Sequence, residues 1–234
     1  RYRALGATIE ALFPGREVTI LDVGGVSPDR EGLASWLPLK RLAPGEGRFV
    51  LDVRPARDQG FVRGDGRRLP FKDKSFDVVA ALDTLEHIPA ASRPEFLGEL
   101  GRVAGSLIFL SAPFRDPEIE RVEGLIFRQI RERHGVEHEQ LKEHATHGLP
   151  DVLEIGGLLD RSFTARAGFF FGSLIRWLLL QTLENVYLFR RKSPEVLALL
   201  DRRLAAADAA PEFDPPFSRH FWAASSTFPA AELE

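Results

Sequence analysis

The stretch Ile20-Leu21-Asp22-Val23-Gly24-Gly25-Val26-Ser27-Pro28 decides the fold that we expect for this chain. It starts as an apolar run, passes through two glycines and continues into a Ser-Pro pair. The run is typical of a buried strand, and the glycines allow a tight turn and a close approach that a Cβ would block. Serine caps helices and proline suits their first position. A strand, a turn and a helix are therefore predicted over residues 17–36.

Further apolar runs rich in β-branched residues alternate with helical patterns along the chain. These runs lie at residues 18–23, 48–53, 60–63, 76–82, 106–111, 164–171 and 217–226. Such alternation predicts βαβ units and a mostly parallel sheet. Runs that are apolar on both faces suit a sheet with helices on both sides.

Helix starts are visible in several places between these runs. Residues 92–95 have the Ser-x-x-Glu pattern of a capping box, and Asp116-Pro117 and Pro150-Asp151 have the pattern of a capped first turn. We expect one domain over residues 1–234, with helical insertions at about 116–147 and 173–207. A chain of 234 residues is long enough for one well-buried domain and marginal for two.

The composition excludes several kinds of function. The net charge is −3 and the basic runs are short, so a nucleic-acid partner is not expected. With no cysteine, a disulfide, a thiolate nucleophile and a cysteine zinc site are all excluded. The lack of cysteine fits a reducing compartment, and the first 14 residues have the pattern of an amphipathic helix and not of a secretory signal. We therefore expect a cytoplasmic protein.

Three more stretches follow the glycine turn in a fixed order. Asp52 ends the second predicted strand, where a carboxylate can accept both hydrogen bonds of a ribose diol. Residues 64–71 read Gly-Asp-Gly-Arg-Arg-Leu-Pro-Phe, and residues 82–89, after the fourth predicted strand, read Leu-Asp-Thr-Leu-Glu-His-Ile-Pro. Ligands of open α/β sheets bind beyond the carboxyl ends of the strands, which is where these stretches lie.

In this order the motifs resemble those of the class I S-adenosylmethionine-dependent methyltransferases, in the group with a Leu-Pro-Phe segment before the fourth strand. The resemblance extends from residue 17 to about residue 113. It implies an α/β Rossmann-like fold, with a seven-stranded, mostly parallel sheet whose last strand is antiparallel, helices on both faces and extra helical insertions. It also implies S-adenosylmethionine as cofactor and methyl transfer as activity.

The resemblance further implies a set of cofactor-binding residues. They are Asp22, Gly24, Gly25, Asp52, Asp65, Gly66, Leu82 and Asp83. Asp22 and the backbone of the glycine turn would hold the methionine part, and Asp52 the ribose hydroxyls. Asp65 and the Gly66 amide would face the adenine. Leu82 and Asp83 would line the sulfonium side.

The turn departs from the family pattern, because Val26 and Pro28 occupy the places of the second and third glycines. A dehydrogenase is disfavoured, since the Gly-x-Gly-x-x-Gly turn that grips a pyrophosphate is missing. A catalytically inactive relative that serves as a binding module stays open as an alternative.

His87 is the candidate catalytic residue, because it follows the fourth predicted strand on the cofactor side. A base is needed only if the acceptor must lose a proton, as a hydroxyl does. The alternative is that His87 and Glu86 only cap or orient their loop. The acceptor is expected to be a small molecule or a glycan, with O-methylation favoured by the resemblance alone.

The segment 131–147 is rich in histidine and glutamate, and its histidines are His134, His138, His144 and His147. Spacings of three and four place pairs on one helical face, as metal ligands require, which keeps a metal-assisted methyltransferase open. Gly135 interrupts the first pair and no His-Glu-x-x-His motif is present. We therefore expect a solvated helix or a substrate lid, and we assign no metal ligand.

The segment 169–189 is strongly apolar but is interrupted by Arg176, Glu184 and Asn185. It is too broken to span a bilayer. Packing in the core or in a homodimer is one interpretation, and peripheral contact with a membrane surface is the other.

Overall fold

A seven-stranded sheet forms the centre of the structure, a computed structural model that describes residues 1–28, 35–42, 45–183 and 215–233. We number its strands in chain order as β1 Ile20–Val23, β2 Arg48–Asp52, β3 Phe61–Arg63, β4 Phe76–Leu82, β5 Ala104–Ala112, β6 Ala165–Ser173 and β7 Phe217–Ser225. Their order across the sheet is β3-β2-β1-β4-β5-β7-β6. The first five strands are parallel, and β7 is antiparallel to both β5 and β6. The predicted fold class is confirmed.

Helices cover both faces of this sheet. They are α1 Tyr2–Leu12, α2 Pro38–Leu42, α3 Arg93–Val103, α4 Pro117–His134, α5 Glu139–His147, α6 Val152–Leu159 and α7 Leu174–Gln181, with a last short helix at Ala230–Leu233. The predicted insertion at 116–147 consists of two helices, because Gly135 ends α4 in a left-handed conformation with φ 69°. Only residues 173–183 of the second insertion, which include α7, lie in the described residues, and residues 184–207 lie outside them.

Two of the three predicted helix caps form. The Asp116 side chain accepts a hydrogen bond from the amide of Glu118, and Asp151 accepts from Leu153 and Glu154. Ser92 makes no capping hydrogen bond with its side chain. It ends a 3-10 turn and already has helical dihedral angles, whereas a capping serine needs an extended conformation. The predicted capping box is therefore wrong.

The helix predicted to begin at Ser27 is also wrong. Residues Ser27–Pro28 and Ser35–Trp36 instead form a short antiparallel pair; residues 29–34 lie outside the described residues, and the described helix α2 begins at Pro38. The Val26 amide donates a hydrogen bond to the Asp52 carboxylate at 3.0 Å. This bond holds the chain against the end of β2 at the point where the predicted helix would have started.

The core has one large cluster on each face of the sheet. On one face, Phe96 and Leu100 of α3 and Ile155 of α6 pack on β1, β4 and β5. On the other face, Leu5 of α1 and Leu39 of α2 pack on the same strands. Two smaller clusters join α4, α5 and α7 beyond the strand ends. These helices build a wall beside the carboxyl ends of the parallel strands.

An apolar face remains exposed on α7. Ile175 and Leu179 are 60% and 64% exposed, and Phe170 of β6 is 40% exposed. No helix in the described ranges is long and apolar enough to cross a membrane. Contact of this segment with a second copy or a membrane surface stays a prediction.

Candidate active site

A cavity of about 690 Å³ opens at the carboxyl ends of β1, β2 and β4. Its lining includes the predicted site residues Gly24, Gly25, Asp52, Asp65, Gly66, Leu82, Asp83 and His87. One side of the cavity is formed by this strand edge, and the other by α4, α5, α7 and β7. Asp22 is the one predicted cofactor residue that does not line the cavity, since it lies buried beneath the glycine turn.

The glycine turn is tightly packed beneath the cavity. Gly24 has φ 81°, and a Cβ there would lie 2.4 Å from the Thr84 hydroxyl oxygen. Its amide donates to the Leu51 carbonyl at 2.7 Å, which joins the end of β1 to β2. A Cβ on Gly25 would lie 2.2 Å from the Asp22 carboxylate. Both glycines are therefore required by the packing of the turn itself.

Asp22 is fully buried and accepts a hydrogen bond from the Tyr2 hydroxyl at 2.8 Å. Its second oxygen, Oδ1, has no hydrogen-bond partner among the described residues. Burial raises the pKa of Asp22 to about 7, against the opposing effects of Tyr2 and Arg1. The site thus holds a carboxylate that a cationic ligand would favour in its charged form.

Asp52 ties the glycine turn to the end of β2. One of its oxygens accepts from the Val26 amide at 3.0 Å and the other from the Arg54 amide at 2.8 Å. The side chain borders the cavity while the residue is only 7% exposed. Each carboxylate oxygen keeps a free lone pair, so a diol can still bind.

Asp65 and Gly66 lie just after β3 and line the cavity. The Asp65 carboxylate pairs with the Arg67 guanidinium at 2.7 Å, and these hydrogen bonds lower its pKa. A Cβ on Gly66 would lie 2.6 Å from the Phe96 ring and 2.8 Å from Val23. Gly66 is therefore needed for close packing on the core.

Asp83 has a left-handed backbone conformation with φ 55° and a nearly buried side chain. Its carboxylate pairs with the Arg219 guanidinium of β7 at 2.8 Å and also with Arg1. Burial opposes the charged form, but the charges of Arg1 and Arg219 outweigh it and hold the pKa of Asp83 well below its usual value. The charge of the Asp83 carboxylate, which lines the cavity, is therefore balanced by the two arginines. The Arg219 contact spans 136 residues, so no local sequence signal could have shown it.

A second polar cluster lies where the loop after β4 meets α4 and α5. His87 Nδ1 is 2.7 Å from a Glu143 oxygen, and His144 Nδ1 is 2.9 Å from a Glu123 oxygen. The two imidazole rings lie 4.9 Å apart. Burial and then the neighbouring His144 lower the pKa of His87, against the effect of Glu143.

Glu86 completes this cluster and is 2% exposed. Burial and then the charge of Asp83 raise its pKa well above the usual value. One ring nitrogen of each of His87 and His144 and a Glu86 oxygen all lie within 4.8 Å of one another. Among the described residues this is the one group of three or more such side chains with this spacing.

The histidine-rich segment thus contributes to the cavity in a way that its spacing did not predict. His144 and Glu143 reach the cluster, and His138 caps α5 through a hydrogen bond from the Leu141 amide and lines the cavity. His134 and His147 do not line it. Arg93 is fully buried and donates to the Ile88 and Gly148 carbonyls, which ties the loop after β4 to the end of α5.

The comparisons with known proteins agree with this architecture. Residues 46–108 match the family model described as a methyltransferase domain. No curated protein sequence matches the chain. The matched segment runs from the turn before β2 into β5, so it includes Asp52, Asp65 and His87.

Solved structures of similar fold cover nearly the whole chain. The YcgJ protein of Bacillus subtilis is 13% identical, with a TM-score of 0.53, over 97% of this chain and 100% of its own. A Galdieria sulphuraria protein described as a sarcosine dimethylglycine methyltransferase is 16% identical, with a TM-score of 0.53, over 96% and 83%. Phosphoethanolamine N-methyltransferase 2 of Haemonchus contortus is 15% identical, with a TM-score of 0.52, over 96% and 53%. At these identities the likeness shows a shared fold.

The strand order, the acids at the strand ends and the matched domain define the class I methyltransferase architecture. The chain therefore has the fold of the class I S-adenosylmethionine-dependent methyltransferases, and its residues 46–108 match a methyltransferase domain.

The residues present fit this cofactor. Asp22 offers a buried oxygen without a hydrogen-bond partner in the described part of the chain, and Asp52 offers lone pairs beside the turn. The Gly24 and Val26 amides of the turn already donate within the protein and so are not offered to a phosphate, a group that S-adenosylmethionine does not carry. When bound, the cofactor supplies a methyl group on a positively charged sulfur, which suits a cavity that contains several carboxylates.

Proposed function

We propose that the chain transfers the methyl group to a hydroxyl of a small-molecule acceptor, and that His87 activates this hydroxyl. The observation that carries the proposal is the contact between His87 Nδ1 and Glu143 at 2.7 Å, at the border between the cofactor residues and the helical wall. The sheet that holds the cofactor residues also includes β6 and β7, so we treat the chain as one methyltransferase domain. A cytoplasmic location stays a prediction.

The cofactor-binding roles implied by the sequence form part of this proposal. Asp22 and the Gly24-Gly25 turn hold the methionine part, and Asp52 binds the ribose hydroxyls. Asp65 and Gly66 face the adenine. These assignments are supported by one continuous cavity that borders all of them except Asp22. Leu82 and Asp83 lie where the strand edge meets the cluster around His87, which suits the position of the sulfonium between cofactor and acceptor.

His87 is suited to activate a hydroxyl because its orientation is fixed. With Nδ1–H donated to Glu143, the Nε2 atom keeps its lone pair. Transfer of the methyl group forms an O–C bond and breaks the S–C bond, with the electron pair of that bond going to sulfur. The hydroxyl proton must also leave, and an Nε2 lone pair can accept it. Otherwise catalysis needs alignment of the two reactants, which the helices that line the cavity would provide.

The acceptor part of the cavity is lined by groups that suit a hydroxylated molecule. Trp177 offers an aromatic face, and Gln140, Gln181 and Arg219 offer polar groups. A saccharide or a small polyol can stack on the Trp177 ring and form hydrogen bonds with the polar side chains. The names of the Galdieria and Haemonchus proteins specify small amines as acceptors. These names support a small-molecule acceptor and make an amine the alternative that must be tested.

A panel of acceptors tests the proposal directly. Purified protein is incubated with S-adenosylmethionine and with saccharides, polyols, phenols, hydroxy acids and small amines, while formation of S-adenosylhomocysteine is measured. We expect turnover with a hydroxyl compound, and a fall in kcat of about 10²–10⁴-fold in His87→Gln, as for loss of a proton-transfer group. Affinity for S-adenosylhomocysteine should stay unchanged.

His134→Gln is the matched control, because this histidine lies outside the cavity lining. Its kcat should equal that of the wild type. Turnover with amines alone, or a His87→Gln variant that keeps its kcat on a hydroxyl acceptor, would overturn the proposal.

A further inference from the structure

The cluster of Glu86, His87 and His144 has the composition of a metal centre. One ligand atom from each lies within 4.8 Å of the other two. Donor atoms around an ion with bonds of about 2.1 Å are themselves about 3–4 Å apart. Small side-chain rotations would therefore bring the three atoms to coordination distance.

The two histidines are oriented as metal-binding histidines usually are. A ligating imidazole donates its other ring N–H to a carboxylate or carbonyl, which fixes the ring and its tautomer. Here Glu143 engages His87 Nδ1 and Glu123 engages His144 Nδ1. Both Nε2 atoms are thereby left as the ring nitrogens that can coordinate an ion.

Two polar atoms of the cluster lack a hydrogen-bond partner. Glu86 Oε2 and His144 Nε2 are buried, and neither has a hydrogen-bond partner within the described part of the chain. The residues are 2% and 9% exposed. A buried carboxylate oxygen and a buried imidazole lone pair are costly when left unmatched. A single cation would satisfy both atoms at once.

We propose that Glu86, His87 and His144 bind one divalent transition-metal cation, of the Zn²⁺ or Mn²⁺ type. Two imidazoles and one carboxylate favour such ions over Mg²⁺, which prefers an all-oxygen shell. Three protein ligands leave further positions open, and all three residues line the cavity. The open positions suit an acceptor with a hydroxyl beside a second oxygen, such as a vicinal diol or a hydroxy acid.

This inference rests on the proposed function and specifies how His87 would act in it. His87 would help to hold a cation that positions the acceptor hydroxyl and lowers its pKa, so that the hydroxyl proton would pass to water in the open cavity and not to His87. The requirement for His87 in catalysis is the same in both cases. The two cases differ in whether removal of the metal by a chelator abolishes methyl transfer.

Titration with the metal alone tests the site without any acceptor. Protein stripped with a chelator is titrated with Zn²⁺, Mn²⁺ and Mg²⁺ by calorimetry, and the Co²⁺ form is examined by absorption spectroscopy. We expect one Zn²⁺ or Mn²⁺ per chain, at least tenfold weaker binding of Mg²⁺, and Co²⁺ bands that Zn²⁺ abolishes. The Glu86→Gln and His144→Gln variants should each bind Zn²⁺ at least tenfold more weakly.

His147→Gln is the control for binding by surface histidines, since this residue lies on the same helix but outside the cavity lining. Its Zn²⁺ affinity should equal that of the wild type. S-adenosylhomocysteine titration of each variant shows that the cofactor site is folded, and the Co²⁺ spectrum needs no variant at all. Absent or nonstoichiometric metal binding by the wild type, or equal losses in His147→Gln, would overturn the metal site. Methyl transfer that needs His87 but survives chelation would also overturn it, while leaving the proposed function intact.

Discussion

The two sides of the cavity are built in different ways. On the side that we propose binds the cofactor, here the cofactor side, contacts join residues at or just beyond the ends of neighbouring strands, such as the Val26 amide and Asp52, which are 26 residues apart. On the side that we propose binds the acceptor, here the acceptor side, contacts join distant parts of the chain, such as His87 with Glu143 and Asp83 with Arg219, which are 56 and 136 residues apart. The cofactor side is thus a property of the sheet edge. The acceptor side exists only when the helical wall and β7 are in place.

The largest effect is expected where the two sides meet, at Asp83. In Asp83→Asn the left-handed backbone is tolerated, because asparagine adopts it readily. The guanidinium of Arg219, which is 25% exposed, then loses its charge partner. Removal of one member of a largely buried pair destabilises by about 3 kcal/mol or more. Urea unfolding of the cofactor-free protein at pH 7 measures this loss.

Asp73→Asn is the control for Asp83→Asn. Asp73 pairs with Arg102, but its side chain is 75% exposed, so the loss should stay below about 1 kcal/mol. Equal unfolding free energies for the two variants would contradict the idea that the pair between Asp83 and Arg219 holds the two sides together.

The second effect concerns the cofactor side alone. Asp52→Ala removes the acceptors for the Val26 and Arg54 amides and for the ribose hydroxyls of the proposed cofactor site. We expect affinity for S-adenosylhomocysteine to fall by about 1–3 kcal/mol, the scale of charged hydrogen bonds left unmade. Calorimetry measures the change.

Asp58→Ala provides the comparison for Asp52→Ala, because Asp58 pairs with Lys40 at the surface and does not line the cavity. Its affinity should equal that of the wild type. If Asp52→Ala bound S-adenosylhomocysteine as tightly as Asp58→Ala does, the ribose role of Asp52 would be wrong.

The same contrast explains what the sequence could predict. The strands follow from local patterns, and because strand ends in a parallel sheet meet at one edge, residues that follow different strands are brought together there. The cofactor roles of these residues came from the family resemblance and stay predictions. Caps at Asp116 and Asp151 also follow from a few adjacent residues. In each case the residues that determine the local structure lie within one turn or one strand of the chain.

The errors and omissions arose where distant contacts decide the structure. The helix expected at Ser27 is displaced by the bond between the Val26 amide and Asp52, which forms only when β2 is beside β1. The spacing of the histidines suggested pairs within one helix. The structure instead brings His144 to Glu86 and His87, whose loop is 56 residues before Glu143. Arg219 lies in β7 and belongs to none of the motifs found in the sequence.

The smallest effect is the pH dependence of cofactor binding through Asp22. Groups that face its carboxylate are Tyr2, Arg1 and Asp52, and burial raises its pKa to about 7. The neutral form therefore predominates below pH 7 in the free protein. If Asp22 binds the ammonium of the methionine part, each pH unit below 7 should weaken S-adenosylhomocysteine binding up to about tenfold.

Folding stability should respond to pH in the opposite direction. The folded protein holds the Asp22 proton up to about pH 7, whereas an unperturbed aspartate loses it near 3.8. Unfolding free energy attributable to Asp22 therefore falls as the pH rises from about 4 to 7. Asp22→Asn removes both dependences, so the difference between wild type and variant isolates them. Calorimetry and urea unfolding at pH 5, 6, 7 and 8 measure the two trends. A wild-type affinity that does not change across this range would show that Asp22 supports the turn from below without contacting the ammonium.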